Sequence, residues 1–312
     1  MFTALYKGCD SPSFTIGAER GAVINKNPAL EILAHQRQLH LLILRGCMLH
    51  FLALKIPHSI ERLLSWVLPM ITFGILLAVW AFASNNGYLN EQFFPTPAAV
   101  RTAGLETVQS GSLLRDTLAS LVRVGIGYGI SVVVGLPLGM ALGSVALARY
   151  ALLPLLNFLR SLSPLAWIPF AIFWIGIGHG AVIFLIVIAA LPTIALSTMA
   201  AVSNVPKVYF RVAQDYQLKG VRRLVYVIFP AILPQLVTTL RVSMGLCWLV
   251  MVAGEMLAGN TGLGFLIHDA NNGLRLDLIL VGMLAIGLLG MLCDRLLMLL
   301  TRFPGIRWGY DR

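Results

Sequence analysis

Four ionisable side chains, Arg123, Arg160, Arg241 and Glu255, stand within or at the edge of long apolar runs. An ionised group at the centre of a membrane helix costs from about 2.5 kcal/mol upwards, so such residues usually face a bundle interior or a wet cavity. Arg241 lies eleven residues past Pro230, near mid-span at about 1.5 Å per residue. It is placed either to meet an anion in transit or to pin a carbonyl or helix end inside the bundle. Arg160 precedes Ser161, Ser163 and Pro164, where a proline break frees backbone groups toward a cavity; the alternative is a solvated residue near the span end. Arg123, early in its run, is expected to snorkel to the interface. Glu255 is expected to pair with an arginine of a neighbouring helix, because fourteen residues, roughly 21 Å of helix, separate it from Arg241. Trp167, Trp174 and Trp248 are candidates to line the same path, although tryptophan also favours membrane interfaces.

Other chemistry is thinly supplied. Cys9, Cys47, Cys247 and Cys293 show no paired spacing, so neither a disulfide framework nor a metal cluster is read. His179, between Gly178 and Gly180, reads as a solvated turn residue rather than a metal ligand. With no His/Asp/Glu cluster to activate water, a membrane enzyme is disfavoured.

The elements that must hold these side chains follow from composition. The chain has 312 residues, of which 58% are hydrophobic and 12% charged, with a mean hydropathy of +0.84. Soluble domains carry about 25% charged residues, so a water-soluble protein is excluded. Apolar runs at 65–84, 118–142, 151–175, 181–202, 229–257 and 278–300 each reach the length that crosses a bilayer. The expected fold is all-α, a polytopic membrane protein of six transmembrane helices. Residues 1–62 read as an N-terminal cytoplasmic or interfacial extension, with a natural start downstream, for example at Met48, left open. A transmembrane domain over 63–303 and a tail over 304–312 complete the division.

The formal net charge of +10 is a topology signal rather than a nucleic-acid footprint. Lys55 and Arg62, then Lys207, Arg211, Lys219, Arg222 and Arg223, then Arg302, Arg307 and Arg312 gather on one side, which puts both termini in the cytoplasm. On the opposite side, residues 98–108 read as a short amphipathic surface helix after Pro95 and Pro97. Residues 259–264 read as a Gly-rich turn with little claim to a phosphate site, because no Lys-Ser/Thr follows it. Residues 265–271 read as a segment able to re-enter the membrane surface.

Between 204 and 229 the cytoplasmic segment is patterned as a helix pair. Val205, Val208, Val212 and Tyr216 recur at helical spacing, Gly220 breaks the pattern, and Val221, Leu224, Val225 and Ile228 form a second stripe flanked by Arg222 and Arg223. Pro230 and Pro234 follow in the first turns of the fifth span.

The stretch Gln214 to Gly220, with Ile228 and Leu233-Pro234, resembles the Glu-Ala-Ala…Gly…Ile…Leu-Pro loop of ABC importer permeases, with Gln214, Asp215 and Tyr216 on the triplet and Gln214 at its acidic position. The segments Leu159 to Pro169, Phe173 to Gly178, Leu240 to Trp248, Ala253 to Leu257 and Gly262 to Gly264 are similar to permeases for nitrate, aliphatic sulfonates and taurine. Phe94 to Pro97 and Ser120 to Arg123 fit the same group, and the resemblance covers roughly residues 64–300.

That resemblance implies a type I importer fold in the bacterial inner membrane, with 204–229 as the segment coupled to an ATPase through Gln214, Asp215, Tyr216, Gly220, Arg222, Arg223, Pro230 and Pro234. The chain has no Gly-x-x-x-x-Gly-Lys-Ser/Thr motif, so ATP and magnesium are expected on a partner and no cofactor on this chain. Implied partners are a second permease copy, two ATP-binding subunits, a periplasmic solute-binding protein and the lipid bilayer, without nucleic acid. The competing reading is an ion- or proton-coupled secondary carrier using Arg241 and Glu255. Such a carrier would be supported by an inverted repeat, and none is evident.

Overall fold

The structure is a computed structural model and describes residues 58–86 and 94–302. The expected extension over 1–62 therefore lies almost wholly, and the tail over 304–312 wholly, outside the described residues. Two units divide at Gly74 and Ile75. Within the first, the described residues are the start of α1 (His58–Asn85). The second holds the rest of the helices.

Every described regular element is helical, in agreement with the all-α expectation. Thr96 caps α2 (Pro97–Gln109) by accepting from the Ala99 N–H, with proline in the first turn where no N–H is needed. Val100 and Ala103 of α2 pack with Val281, Trp80, Leu113 and Leu278. This is the helix expected over 98–108, and its apolar face is docked on protein.

At the centre, α3 (Ser112–Ser144) packs on α6 (His179–Ser203). Gly127, Ser131, Gly135, Gly139 and Gly143 recur every fourth residue on α3, and small residues let helix backbones approach closely in a membrane. A Cβ at Gly127 would stand 2.8 Å from Ile186 Cγ2, one at Gly135 3.0 Å from Ile194 Cγ2, and one at Gly143 2.5 Å from Val202 Cβ. Because both partners advance together along the sequence, α3 and α6 run parallel. Span 151–175 must therefore return the chain between them.

That return is divided at the proline break expected before Pro164. It is α4 (Ala146–Ser161), a 3₁₀ turn at Pro164–Trp167 and α5 (Ile168–Ile175), and its two limbs are bent by 91°. Pro164 supplies no N–H and disfavours helical backbone at Ser163, which is extended at ψ 126°. Among the described residues, five helices are long and apolar enough to cross a membrane, and six if the bent pair counts as one span.

A long helix, α8 (Gly220–Ala258), packs antiparallel to α6: Gly254 sits against Val182 and Leu185, whereas Ile232 and Leu236 share a cluster with Ala201 and Val202. After α9 (Leu263–Asn272), which covers the segment expected at the membrane surface, α10 (Leu276–Leu299) runs back along α8. Val124, Val182, Ile186, Cys247, Trp248 and Met251 form the core where α3, α6 and α8 meet.

Candidate functional site

Asp116, Ser120 and Arg123 occupy the fourth-and-third-residue spacing that continues the small-residue face of α3. That face is buried, so these polar groups must be satisfied from inside the protein. The Arg123 Nη1 donates to Glu255 Oε1 at 2.6 Å and to the Thr261 carbonyl at 2.6 Å, Nη2 donates to Thr261 Oγ1, and Nε donates to His179 Nδ1 at 2.9 Å. The Ser120 hydroxyl lies 2.9 and 2.8 Å from the two Glu255 oxygens.

The Gly-rich turn completes this network. Gly264 N–H donates to Glu255 Oε2, Leu263 N–H to Ser120 Oγ and Gly262 N–H to Asp116 Oδ1. A Cβ on Gly262 would lie 2.5 Å from the Glu255 carboxyl atoms. The turn is thus a set of backbone donors folded onto Glu255, Ser120 and Asp116.

Two expectations are corrected here. Arg123 does not snorkel: its side chain and that of Glu255 have 0% exposure, because the carboxylate and the Thr261 oxygens replace the water it would otherwise seek. His179 is exposed but not merely solvated, since its Nδ1 holds the Arg123 Nε. Glu255 pairs with an arginine of a neighbouring helix, as anticipated.

Arg241, Trp248 and Glu255 recur every seventh residue and lie along one stripe of α8. Arg241 donates from Nε to Asp294 Oδ1 and from Nη2 to Asp294 Oδ2, both at 2.8 Å. The two side chains are 33% and 42% exposed. Trp248 is buried in the α3–α6–α8 core. The Arg241–Glu255 pair on which a secondary carrier depends is not what these partners form.

The other path candidates sit on the broken span. Arg160 and Ser163 are exposed, Ser161 Oγ donates to the Asn157 carbonyl, and Trp167 packs among Phe170, Trp174 and Phe184.

Near the other end of α8, α7 (Lys207–Asp215) lies between α6 and α8 in sequence. Phe210 joins the cluster of Ala201, Val205, Ile228 and Ile232, and Ala213 is fully buried. Val208, Val212 and Tyr216 are instead 62%, 44% and 76% exposed. The expected stripe is therefore divided: Val205 enters the core and its other members point away from it. Gln214 and Asp215 are exposed at the end of α7. The chain then turns through left-handed backbone at Gln217 (φ 54°) and Gly220 (φ 55°), with the Leu218 N–H closing on the Ala213 carbonyl. Arg222 is exposed, and the Arg223 guanidinium carbon sits 5.9 Å from the Phe210 ring centre. A π-helical turn, Leu224–Ile228, precedes Pro230, whose missing N–H leaves an α-helical carbonyl unpartnered; Pro234 lies inside the same helix.

The sequence could have pointed to the buried network through the face shared by Asp116, Ser120, Arg123 and Gly127. Asp294, an ionisable residue in the run 278–300, reads from its place near the end of that run as a residue of the cytoplasmic interface, and Thr261 carried no comparable signal.

Comparison with known proteins places this architecture. The family model of the binding-protein-dependent transport system inner membrane component matches residues 132–303. The taurine transport system permease protein TauC of Escherichia coli (strain K12) is 32% identical over 247 residues, 75% of this chain and 90% of that protein. The nitrate import permease protein NrtB of Synechocystis sp. is 32% identical over 236 residues, 73% of this chain and 85% of that protein. The bicarbonate transport system permease protein CmpB of Synechocystis sp. is 34% identical over 243 residues, 73% and 85% of the two chains. A chain of the inward-facing MetNI methionine ABC transporter shares the fold, with a TM-score of 0.51 and 21% identity over 62% of this chain and 98% of that one. The chain therefore belongs to the binding-protein-dependent transport system inner membrane components, as a permease of the bacterial ABC importer group that includes the taurine and nitrate permeases.

Proposed function

We propose that this permease is the transmembrane subunit of an ATP-driven importer that moves a small anion, delivered by a periplasmic binding protein, across the inner membrane. The cargo is nitrate, a sulfonate, taurine or a similar anion such as bicarbonate. Two copies of the chain form the pathway, both termini face the cytoplasm, and a pair of separate subunits bind ATP and magnesium and perform hydrolysis. The observation that carries this reading is the exposed apolar stripe Val208, Val212 and Tyr216 on a helix whose other face is anchored by Phe210 and Ala213. An anchored helix with an outward apolar face, rimmed by Lys207, Arg211, Lys219 and Arg222, is suited to a protein partner. Gln214, Asp215, Tyr216, Gly220, Arg222 and Arg223 lie on or beside that surface, and Pro230 and Pro234 lie in the helix that carries its motion to Arg241. Arg160, Ser161, Ser163, Trp167, Arg241, Trp248 and Glu255 border or support the path, with Arg241 meeting the anion by displacing Asp294.

The test is co-expression with the ATPase and binding protein encoded beside it, purification and reconstitution into proteoliposomes, with nitrate, taurine and bicarbonate assayed one by one. Val212→Ser combined with Tyr216→Ala is expected to leave the permease folded while ATP hydrolysis no longer drives uptake. Unchanged uptake together with no co-purifying ATPase overturns the proposal.

A further inference from the structure

The buried arginine of the network has an unusual third partner. Guanidinium groups donate and never accept, and remain protonated at any physiological pH. The 2.9 Å hydrogen bond from Arg123 Nε to His179 Nδ1 therefore exists only while Nδ1 carries a lone pair, which fixes the neutral imidazole with its proton on Nε2. Protonation of Nδ1 would set two donors and two positive charges against each other and leave a buried guanidinium N–H without an acceptor. His179 is also the first residue of α6, where the positive end of the helix opposes a second cation.

The charged groups around this contact are few and all accounted for by position. On α3, Arg123 bonds the imidazole directly, and Asp116 is occupied by the Gly262 N–H. On α8, Glu255 lies behind Arg123 and is bound by it, by Ser120 and by Gly264. From the turn, the neighbour is the neutral Asn260, whose amide lies 3.9 Å from the Cβ position of Gly178. The imidazole is solvent-exposed while the guanidinium is not, so a proton from the aqueous phase reaches His179 without passing the ion pair.

Arg123 also holds both oxygens of Thr261. Whatever displaces its guanidinium loosens the turn over residues 259–264, which leads directly from the stripe carrying Arg241 and Glu255 into α9. We propose that His179 is a positioning residue for transport: its neutral imidazole keeps Arg123 fastened to Glu255 and Thr261, and acidification of the compartment it faces unfastens the turn and lowers uptake. The direction follows from which form accepts the bond: the fastened state is complete at high pH and is lost as pH falls through the imidazole titration. This inference rests on the permease reading for its effect on uptake, but not for its effect on the turn.

Two measurements on the reconstituted complex separate these. Uptake of the transported anion is followed between about pH 8 and pH 5, the range over which histidine titrates. Hydrogen–deuterium exchange of the Gly262, Leu263 and Gly264 amides is followed in nanodiscs over the same range, relative to the intrinsic rate of the turn peptide. Wild-type uptake is expected to fall severalfold on the acid side while those amides lose protection. His179→Gln, whose amide oxygen accepts from Arg123 without titrating, is expected to keep neutral-pH uptake and protection and to lose both acid responses. His179→Phe is expected to be weakly protected and slow at every pH. If His179→Gln retains the wild-type acid responses in both measurements, or the wild type shows neither, the inference is overturned. An acid response in exchange without any ATP-dependent uptake supports the role of His179 at the turn and counts against the permease reading instead.

Discussion

Arg123–Glu255 and Arg241–Asp294 both tie α8 to a neighbouring helix through an arginine and a carboxylate, but the first pair has 0% exposure on both side chains and the second 33% and 42%. The buried pair is surrounded by further donors and acceptors: Ser120, Thr261, His179 and the amides of the Gly-rich turn. The open pair is a two-point contact between guanidinium and carboxylate, a geometry in which an incoming anion can take the place of the aspartate. Burial thus divides one pairing chemistry into two uses: a fixed joint at one end of α8 and an exchangeable contact along it.

The contrast breaks first at Glu255. Removing one partner of a buried ion pair leaves the other charge uncompensated and typically costs about 3–5 kcal/mol. Glu255→Ala is therefore expected to depress the amount of folded permease in membranes and its melting temperature in detergent far more than loss of either member of the open pair. Arg123→Met combined with Glu255→Met removes both charges and is expected to recover part of that loss. Wild-type melting of Glu255→Ala would mean that water reaches the joint.

The second way to break it is at Arg241. Its pair is half open, so losing it costs little folding energy. Arg241→Ala is expected to assemble at wild-type level and to lose uptake by at least about tenfold, equivalent to about 1.4 kcal/mol. Asp294→Asn, which removes the carboxylate charge that faces the guanidinium, is expected to assemble equally well and to lower both KM and maximal uptake, because the anion no longer competes with that charge. An Arg241→Ala permease that fails to assemble would make the two pairs alike, and both structural.

Legibility in the sequence follows how local the cause is. The spans, the capped helix after Thr96, the proline break before Pro164 and the turn at Gly220 are set by residues within a turn of the feature, and all are visible in it. The size of the bend at Pro164 is not, because residues 151–175 are largely apolar and hydropathy carries no direction. Arg123 reads wrongly from sequence because its charge partner lies 132 residues away, and although Glu255 reads as paired with an arginine of a neighbouring helix, nothing local says which one. The stripe on α7 is legible, but its outward direction depends on Phe210 and Ala213, which supply a second apolar face at helical spacing. Periodicity identifies a helix with two apolar faces and leaves open which one the core takes.

The smallest expected effect comes from a glycine, and it sharpens the contrast between the two ends of α8. Gly262 has φ 111° and its Cβ would collide with the Glu255 carboxyl, whereas Gly220 has φ 55° and no atom within 4 Å of the position a Cβ would occupy. At Gly262 a side chain is excluded by the joint itself. At Gly220 the obstacle is the left-handed backbone, which costs an ordinary residue about 1–2 kcal/mol. Gly220→Ala is therefore expected to fold normally and to weaken ATP-driven uptake only a few-fold, by shifting the turn that presents Tyr216 and Arg222. Gly220→Asn, with a side chain that tolerates this backbone region, is expected to lie between Gly220→Ala and the wild type. Equal losses for alanine and asparagine would show that the surface at Gly220 is in contact with a partner that admits no side chain, and that this end of α8, like the other, is closed by packing rather than by conformation.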